Sequence, residues 1–150
     1  METDLLVVGS WSEMRTLALP VRLTVFVQEQ AVPLELECDE FDEQALHALV
    51  TDHQGRAIAT GRLLADGRIG RLAVLAERRA TGVGKRVLQA LIDQAHVQGM
   101  ALLRLHARVD AQPFYEKFGF SACGPVFDEA GSPHIEMVRE RVSSMGGSGG

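Results

Sequence analysis

Cysteine is nearly absent from this chain. Cys38 and Cys123 are far apart and show no CxxC spacing, which excludes a zinc ribbon or a disulfide framework and points to thiols in a reducing compartment. Long apolar runs are missing too: none approaches the roughly 20 residues needed to cross a bilayer. The start, Met1-Glu2-Thr3-Asp4, lacks the basic stretch and apolar segment of a secretory signal. These absences predict a soluble, cytoplasmic protein without a membrane partner or a bound metal. Positive charge is also scarce. Fifteen Lys and Arg against twenty Asp and Glu leave a formal charge of −5, so the basic footprint of a nucleic-acid binder is absent.

What remains is an ordinary globular composition, with 46% hydrophobic and 23% charged residues. Residues 1–142 read as one domain. The tail 143–150, Ser143-Ser144-Met145-Gly146-Gly147-Ser148-Gly149-Gly150, has nothing to bury and reads as a disordered or appended segment. Leu5 to Val8 reads as a short buried strand. Trp11, Met14, Leu17, Ala18, Val21 and Val25 then recur at helical steps, with Pro20 predicting a kink or two helical pieces. Pro33 and the acidic run to Glu40 mark a loop or short irregular helix. Three strands follow over 45–51, 56–64 and 68–75, separated by the turns Asp52-His53-Gln54-Gly55 and Asp66-Gly67. Val83, Val87, Leu88, Leu91, Ile92 and Ala95 line one helix face, closed by Gly99. A strand at 102–105, a short helix at 111–117 and strands near 120–127 and 134–142 complete an α/β (α+β) order with a mixed, largely antiparallel sheet.

The informative junction is Leu72-Ala73-Val74 running through Arg79-Ala80-Thr81-Gly82-Val83-Gly84-Lys85 into the amphipathic helix. A helix N-terminus carries unpaired N–H groups and a positive dipole. Glycines there admit a phosphate to those donors, and Arg79 and Lys85 add charge, which together make a pyrophosphate cradle. A Walker A loop is excluded because Arg79 and Arg86 stand where Gly and Ser or Thr are needed. Val87 replaces the third glycine of a dinucleotide fingerprint. On its own, Gly82-Val83-Gly84 reads more readily as an ordinary strand-to-helix turn.

Other segments remove that ambiguity. Arg79-x-x-Gly82-x-Gly84 resembles the acetyl-CoA motif of the GNAT acetyltransferase superfamily, and Phe114-Tyr115-Glu116-Lys117-Phe118-Gly119-Phe120 is similar to its F-Y-x-x-x-G-F segment. Val25-Phe26-Val27-Gln28-Glu29-Gln30, Thr60-Gly61-Arg62-Leu63 and Phe127-Asp128-Glu129-Ala130-Gly131-Ser132-Pro133-His134 resemble the ElaA/YjcF-type subgroup. The matches span roughly residues 5 to 140 in order.

The resemblance implies a splayed central sheet flanked by helices, with acetyl-CoA as acyl donor. Its pantetheine arm would pair with Leu72, Ala73 and Val74, and a backbone N–H near Leu72 would polarise the thioester carbonyl. Residues Arg79 to Lys85 would hold the pyrophosphate. Tyr115 matches the position of a general acid that protonates the departing thiolate; a purely structural aromatic is the competing reading. For the base, or for acceptor binding, Glu29, Glu37, Asp39, His106 and His134 are candidates. The acidic loop Glu35 to Glu40 suits a cationic acceptor or mere solvation. Ala80 stands where the family often has Gly, and Arg108 where many members carry an amide. The implied reaction is direct transfer of acetyl to a small-molecule or peptide amine. A non-catalytic acyl-CoA sensor, a longer acyl chain and an O-linked acceptor are the alternatives. Two-fold pairing is common among such proteins, which leaves a homodimer open.

Overall fold

The computed structural model describes residues 4–32 and 39–140. Strand β1 (Leu5–Gly9) leads into helix α1 (Trp11–Arg22). The sequence Ser10-x-x-Glu13 forms a capping box: Glu13 N–H donates to Ser10 Oγ at 3.3 Å and Ser10 N–H to Glu13 Oε1 at 2.8 Å. Two helical pieces do form, but the change comes after Pro20. Helix α1 continues through the proline to Arg22 and then widens into a π-helical stretch, Leu23–Glu29. Proline forfeits the bond to the carbonyl four residues back without blocking the turns ahead. The wider stretch ends with Gln30 N–H donating to Val25 O and Val32 N–H to Phe26 O. It carries Glu29 and Gln30 to the edge of a cavity described below.

Strands β2 (Leu46–Thr51), β3 (Ala57–Leu63) and β4 (Ile69–Val74) join β1 in an antiparallel sheet ordered β1-β2-β3-β4. Helix α2 (Val83–Val97) lies on it, burying the six apolar residues named from the sequence. Gly61 of β3 permits this contact, because a Cβ there would lie 2.9 Å from Val87 Cγ1 and 3.1 Å from Leu91 Cδ1. Gly99 closes the helix as expected, with its N–H donating to His96 O while Met100 N–H donates to Ala95 O.

The second sheet is built on β8 (Ser132–Glu140), which pairs with β5 (Leu102–Arg108), β6 (Ser121–Ala122) and β7 (Phe127–Glu129), all antiparallel. Helix α3 (Gln112–Glu116) bridges β5 to β6. The strand expected over 120–127 is a correction. Only its ends pair, as β6 and the start of β7. Pro125 has no N–H to give a ladder, so the strand is interrupted there.

Beneath the first sheet lies a buried ionic network. Asp42 accepts from both guanidinium nitrogens of Arg22, at 2.8 and 3.0 Å, and from Arg62 at 2.9 Å. Arg62 also grips both oxygens of Asp39, at 2.7 and 2.9 Å, and Arg71 reaches Asp39 at 3.2 Å. Burial alone would raise both carboxyls, but the guanidinium hydrogen bonds outweigh it and hold Asp42 and Asp39 below the usual carboxylate range.

His47 sits against this network, its ring 4.8 Å from that of Trp11 and its Nε2–H donating to the Asp42 carbonyl at 2.9 Å. Burial pushes its pKa below the ordinary value, more than the Asp42 contacts raise it. The unfolded chain therefore binds this proton more readily than the folded one. Stability is full above the unfolded value of about 6.5 and falls as acidification proceeds towards the lower folded value. We expect the urea midpoint, read by the fluorescence of the single Trp11, to drop between about pH 7.5 and about pH 5.5. In His47→Gln, which keeps a donor but cannot titrate, most of that drop should vanish. An equal drop in both proteins would remove His47 as its cause.

Candidate active site

The two sheets do not close against each other. Where β4 and β5 run side by side in parallel, the link among the described residues is a single bridge, Arg68 opposite Arg104, with Arg104 N–H donating to Gly67 O at 3.1 Å. Beyond that point the strands part. A bulge contributes to the parting. Thr60 pairs with Ala73 and Arg62 with Gly70, so Arg71 and Leu72 face one residue of β3. Arg71 takes a left-handed backbone, φ 51°, a conformation that costs a non-glycine residue about 1–3 kcal/mol and tends to mark functional sites.

The gap opens into two cavities. One, of about 670 Å³, runs along β4 to the start of α2. The other, of about 590 Å³, lies over the β5–β8 face. Gln30, Leu72, Arg108, Ala111 and Tyr115 border both, so the point between β4 and Tyr115 is common to them.

In the first cavity the structure gathers Leu72, Val74, Arg79, Ala80, Gly82, Gly84 and Lys85. Gly82 caps α2 with φ 89° and no side-chain cap, leaving the first-turn N–H groups of Val83, Gly84 and Lys85 for a ligand. Ala80 also turns left-handed, φ 65°. The side chains of Ala73 and Val83 point elsewhere, into the core, and the Thr81 hydroxyl is spent on Arg78 O. Arg79 is held from two sides, donating to Val74 O at 3.0 Å and to Glu29 at 2.6 Å. Glu29, named from the sequence as a candidate base or acceptor-binding residue, borders this cavity and not the second. The space beside Gly82 is open: a Cβ added there would meet no atom within 4 Å.

Tyr115 packs edge-on against Phe114, ring centroids 5.1 Å apart, and against Phe120 at 6.3 Å. Burial pushes its phenol up to about 12, so it carries its proton throughout the physiological range. Both readings of Tyr115 thus meet in one residue: it is a packed aromatic, and its position borders both cavities.

The second cavity holds His106 and His134, with Glu129 between them. His106 Nδ1 lies 2.9 Å from Glu129 Oε1, and His134 Nε2 is 4.0 Å from Glu129 Oε2. His134 Nδ1–H donates to Ser132 O at 2.9 Å. A carboxylate accepting from Nδ1–H fixes the His106 tautomer and leaves Nε2 as an acceptor. Glu129 was not singled out from the sequence; it reaches His106 because the β7–β8 hairpin folds back over β5. Asp39 is tied up by Arg62 and Arg71, and Glu37 lies outside the described residues. Cys123 is exposed and borders neither cavity. Among the described residues no cluster of His, Cys, Asp or Glu suits a metal ion, and no helix is long and apolar enough to cross a membrane.

A sheet parted beside an uncapped helix N-terminus, with a tyrosine at the fork, is the architecture of acyl-CoA N-acyltransferases, and comparison with known proteins agrees. Residues 15–141 match the acetyltransferase (GNAT) domain, and the chain belongs to that family. The uncharacterized N-acetyltransferase YjcF of Bacillus subtilis is 36% identical over 127 residues, 82% of this chain and 90% of that protein. The crystal structure of Escherichia coli ElaA superposes with a TM-score of 0.82 at 27% identity, covering 92% of this chain and all of that one. An acyl-CoA N-acyltransferase from Pseudomonas aeruginosa gives 0.83 at 26% identity, covering 91% and 99%. The ElaA/YjcF-type resemblance is thereby borne out, and the protein is an acyl-CoA-dependent N-acetyltransferase.

Proposed function

We propose that this enzyme passes an acetyl group from acetyl-CoA to a primary amine by direct attack, with Tyr115 as general acid and His106 as general base. The supporting observation is that the donor and acceptor cavities meet at Leu72 and Tyr115. A thioester lying at that junction exposes its carbonyl to the amine on one side and its sulfur to the phenol on the other. The first-turn amides of α2, with Lys85, hold the pyrophosphate. A backbone N–H at Leu72, beside the bulge in β4, faces the developing oxyanion. Acetyl-CoA supplies the activated acyl group; the residues supply position and proton traffic.

Held by Glu129, His106 takes the ammonium proton through Nε2, directly or through a water. Tyr115 donates to the departing sulfur as charge develops there. Because its phenol stays protonated to about pH 12, it is available over the whole working range. No cysteine among the described residues lies in either cavity, which favours direct transfer over an acyl-enzyme.

Tyr115→Phe should lower kcat by about 10- to 100-fold and leave CoA affinity unchanged, while His106→Gln should cost about 100-fold. Release of CoA thiol from acetyl-CoA across a panel of amines reads both. If acetyl-CoA binds yet no amine stimulates release, and Tyr115→Phe changes nothing, the protein is a sensor and this assignment fails.

A further inference from the structure

The acceptor cavity has a charge character that the sequence did not suggest. Five arginines border it, Arg62, Arg68, Arg71, Arg104 and Arg108, with Glu129 the one carboxylate among the described lining residues. That carboxylate is engaged by His106. Arg62 and Arg71 are already paired with Asp39 and Asp42, so the charge at issue is that of Arg68, Arg104 and Arg108. The acidic partners of the outer arginines stand outside the cavity: Asp66 at 2.9 Å from Arg68 Nε, Asp110 at 3.4 Å from Arg108, and Glu136 at 3.8 Å from Arg104. The contacts of Arg104 and Arg108 are too long for strong hydrogen bonds. A guanidinium has five N–H donors; Arg68, held through Nε by Asp66 and stacked 5.1 Å over the Phe41 ring, and Arg104 each border the cavity and are nearly half exposed.

Strand geometry explains the convergence. Leu103, Leu105 and Ala107 are buried in the core, which turns Arg104, His106 and Arg108 onto the opposite face of β5. The parallel bridge sets Arg68 beside Arg104 at the root of the fork. Arg104 and His106 are two residues apart, about 7 Å along a strand. One small molecule can therefore place its amine near His106 and another group against Arg104 and Arg68. A second ammonium in that position would face like charge, whereas an oxyanion would meet two guanidinium forks suited to it.

We infer that the acceptor is a small amine that also carries an oxyanion, a carboxylate or a phosphate, bound by Arg104 and Arg68. This rests on the acyltransferase reading and narrows it; most of the acidic loop weighed from the sequence for a cationic acceptor lies outside the described residues.

Matched pairs test it: amino acids against their carboxamides, amino-sugar phosphates against the free amino sugars, and polyamines as the cationic arm. Thiol release gives kcat/KM, and thermal stabilisation of the CoA complex reads acceptor binding without turnover. In at least one class of pair the anionic member should be favoured by tenfold or more, and the class that responds distinguishes carboxylate from phosphate. Arg104→Met, and separately Arg68→Met, should compress that ratio towards one. Overturning results are a panel in which no anionic member outperforms its neutral partner, a preference for polyamines, or a ratio unmoved by both substitutions. Failure of acetyl-CoA itself to bind would instead remove the parent reading, and the two failures are distinguishable.

Discussion

Gly84→Asp should abolish useful CoA binding while leaving the unliganded fold intact. Gly84 sits in the first turn of α2 and borders the donor cavity. A Cβ there would lie 3.4 Å from Val74 Cγ2 and 3.8 Å from Phe114 Cζ, ordinary contact distances. Its backbone is not left-handed, so a side chain is tolerated, and a carboxylate in a first helical turn is favourable by about 0.3–1 kcal/mol. The ligand meets the opposite situation. Two like charges about 4 Å apart repel by roughly 4 kcal/mol at an effective dielectric constant near 20, and a diphosphate brings more than one. A rise in Kd of at least about a hundredfold is expected by calorimetry with CoA, with no loss of melting temperature in the free protein. Gly84→Ala should cost far less. A Gly84→Asp protein that binds CoA like the parent would show that the diphosphate lies elsewhere.

The second large effect concerns stability. Asp42 is 1% exposed and stands between Arg22, 1% exposed, and Arg62, 6% exposed. Removing its charge leaves two buried guanidiniums sharing what remains of the network. Breaking such a set costs about 3–5 kcal/mol, although a well-packed apolar replacement of the whole set would not. At about 2–4 °C per kcal/mol for a chain of this size, Asp42→Asn should melt about 6–20 °C lower. The same network sets an acid limit. Because the folded pKa values of Asp39 and Asp42 are depressed, their contribution is complete above the unfolded value of about 3.9 and lost as pH falls through the lower folded values. Asp42→Asn should therefore be less acid-sensitive than the parent below about pH 4, even though it is weaker at neutrality. A melting temperature within a degree or two of the parent would show that the arginines find other compensation.

Local pattern carried much of this architecture. The α2 face was readable residue by residue, because a helix packed on one sheet must repeat its apolar positions every three or four residues. The glycine-bearing entry to α2 was readable too: Gly82 takes the left-handed backbone there and Gly84 lines the cavity beside it. Tyr115 and the pair His106 and His134 were named as candidates from sequence, and the structure brings all three to one cavity wall. What escaped depends on distant segments meeting. Glu129 reaches His106 across 23 positions of chain and Asp42 reaches Arg62 across 20, and no local period encodes either. The pairing of Glu29 with Arg79, 50 positions away, escaped for the same reason. Arg104-x-His106-x-Arg108 was the missed clue: an alternating polar face on a strand beside a buried one.

Among the described residues a single bridge, Arg68 to Arg104, joins the two sheets of this enzyme. On the proposed reading, a pantetheine arm lying between the sheets would pair with their facing margins as an added strand would. Binding and folding are then thermodynamically joined, and a concentration a hundred times Kd adds about 2.7 kcal/mol of stability.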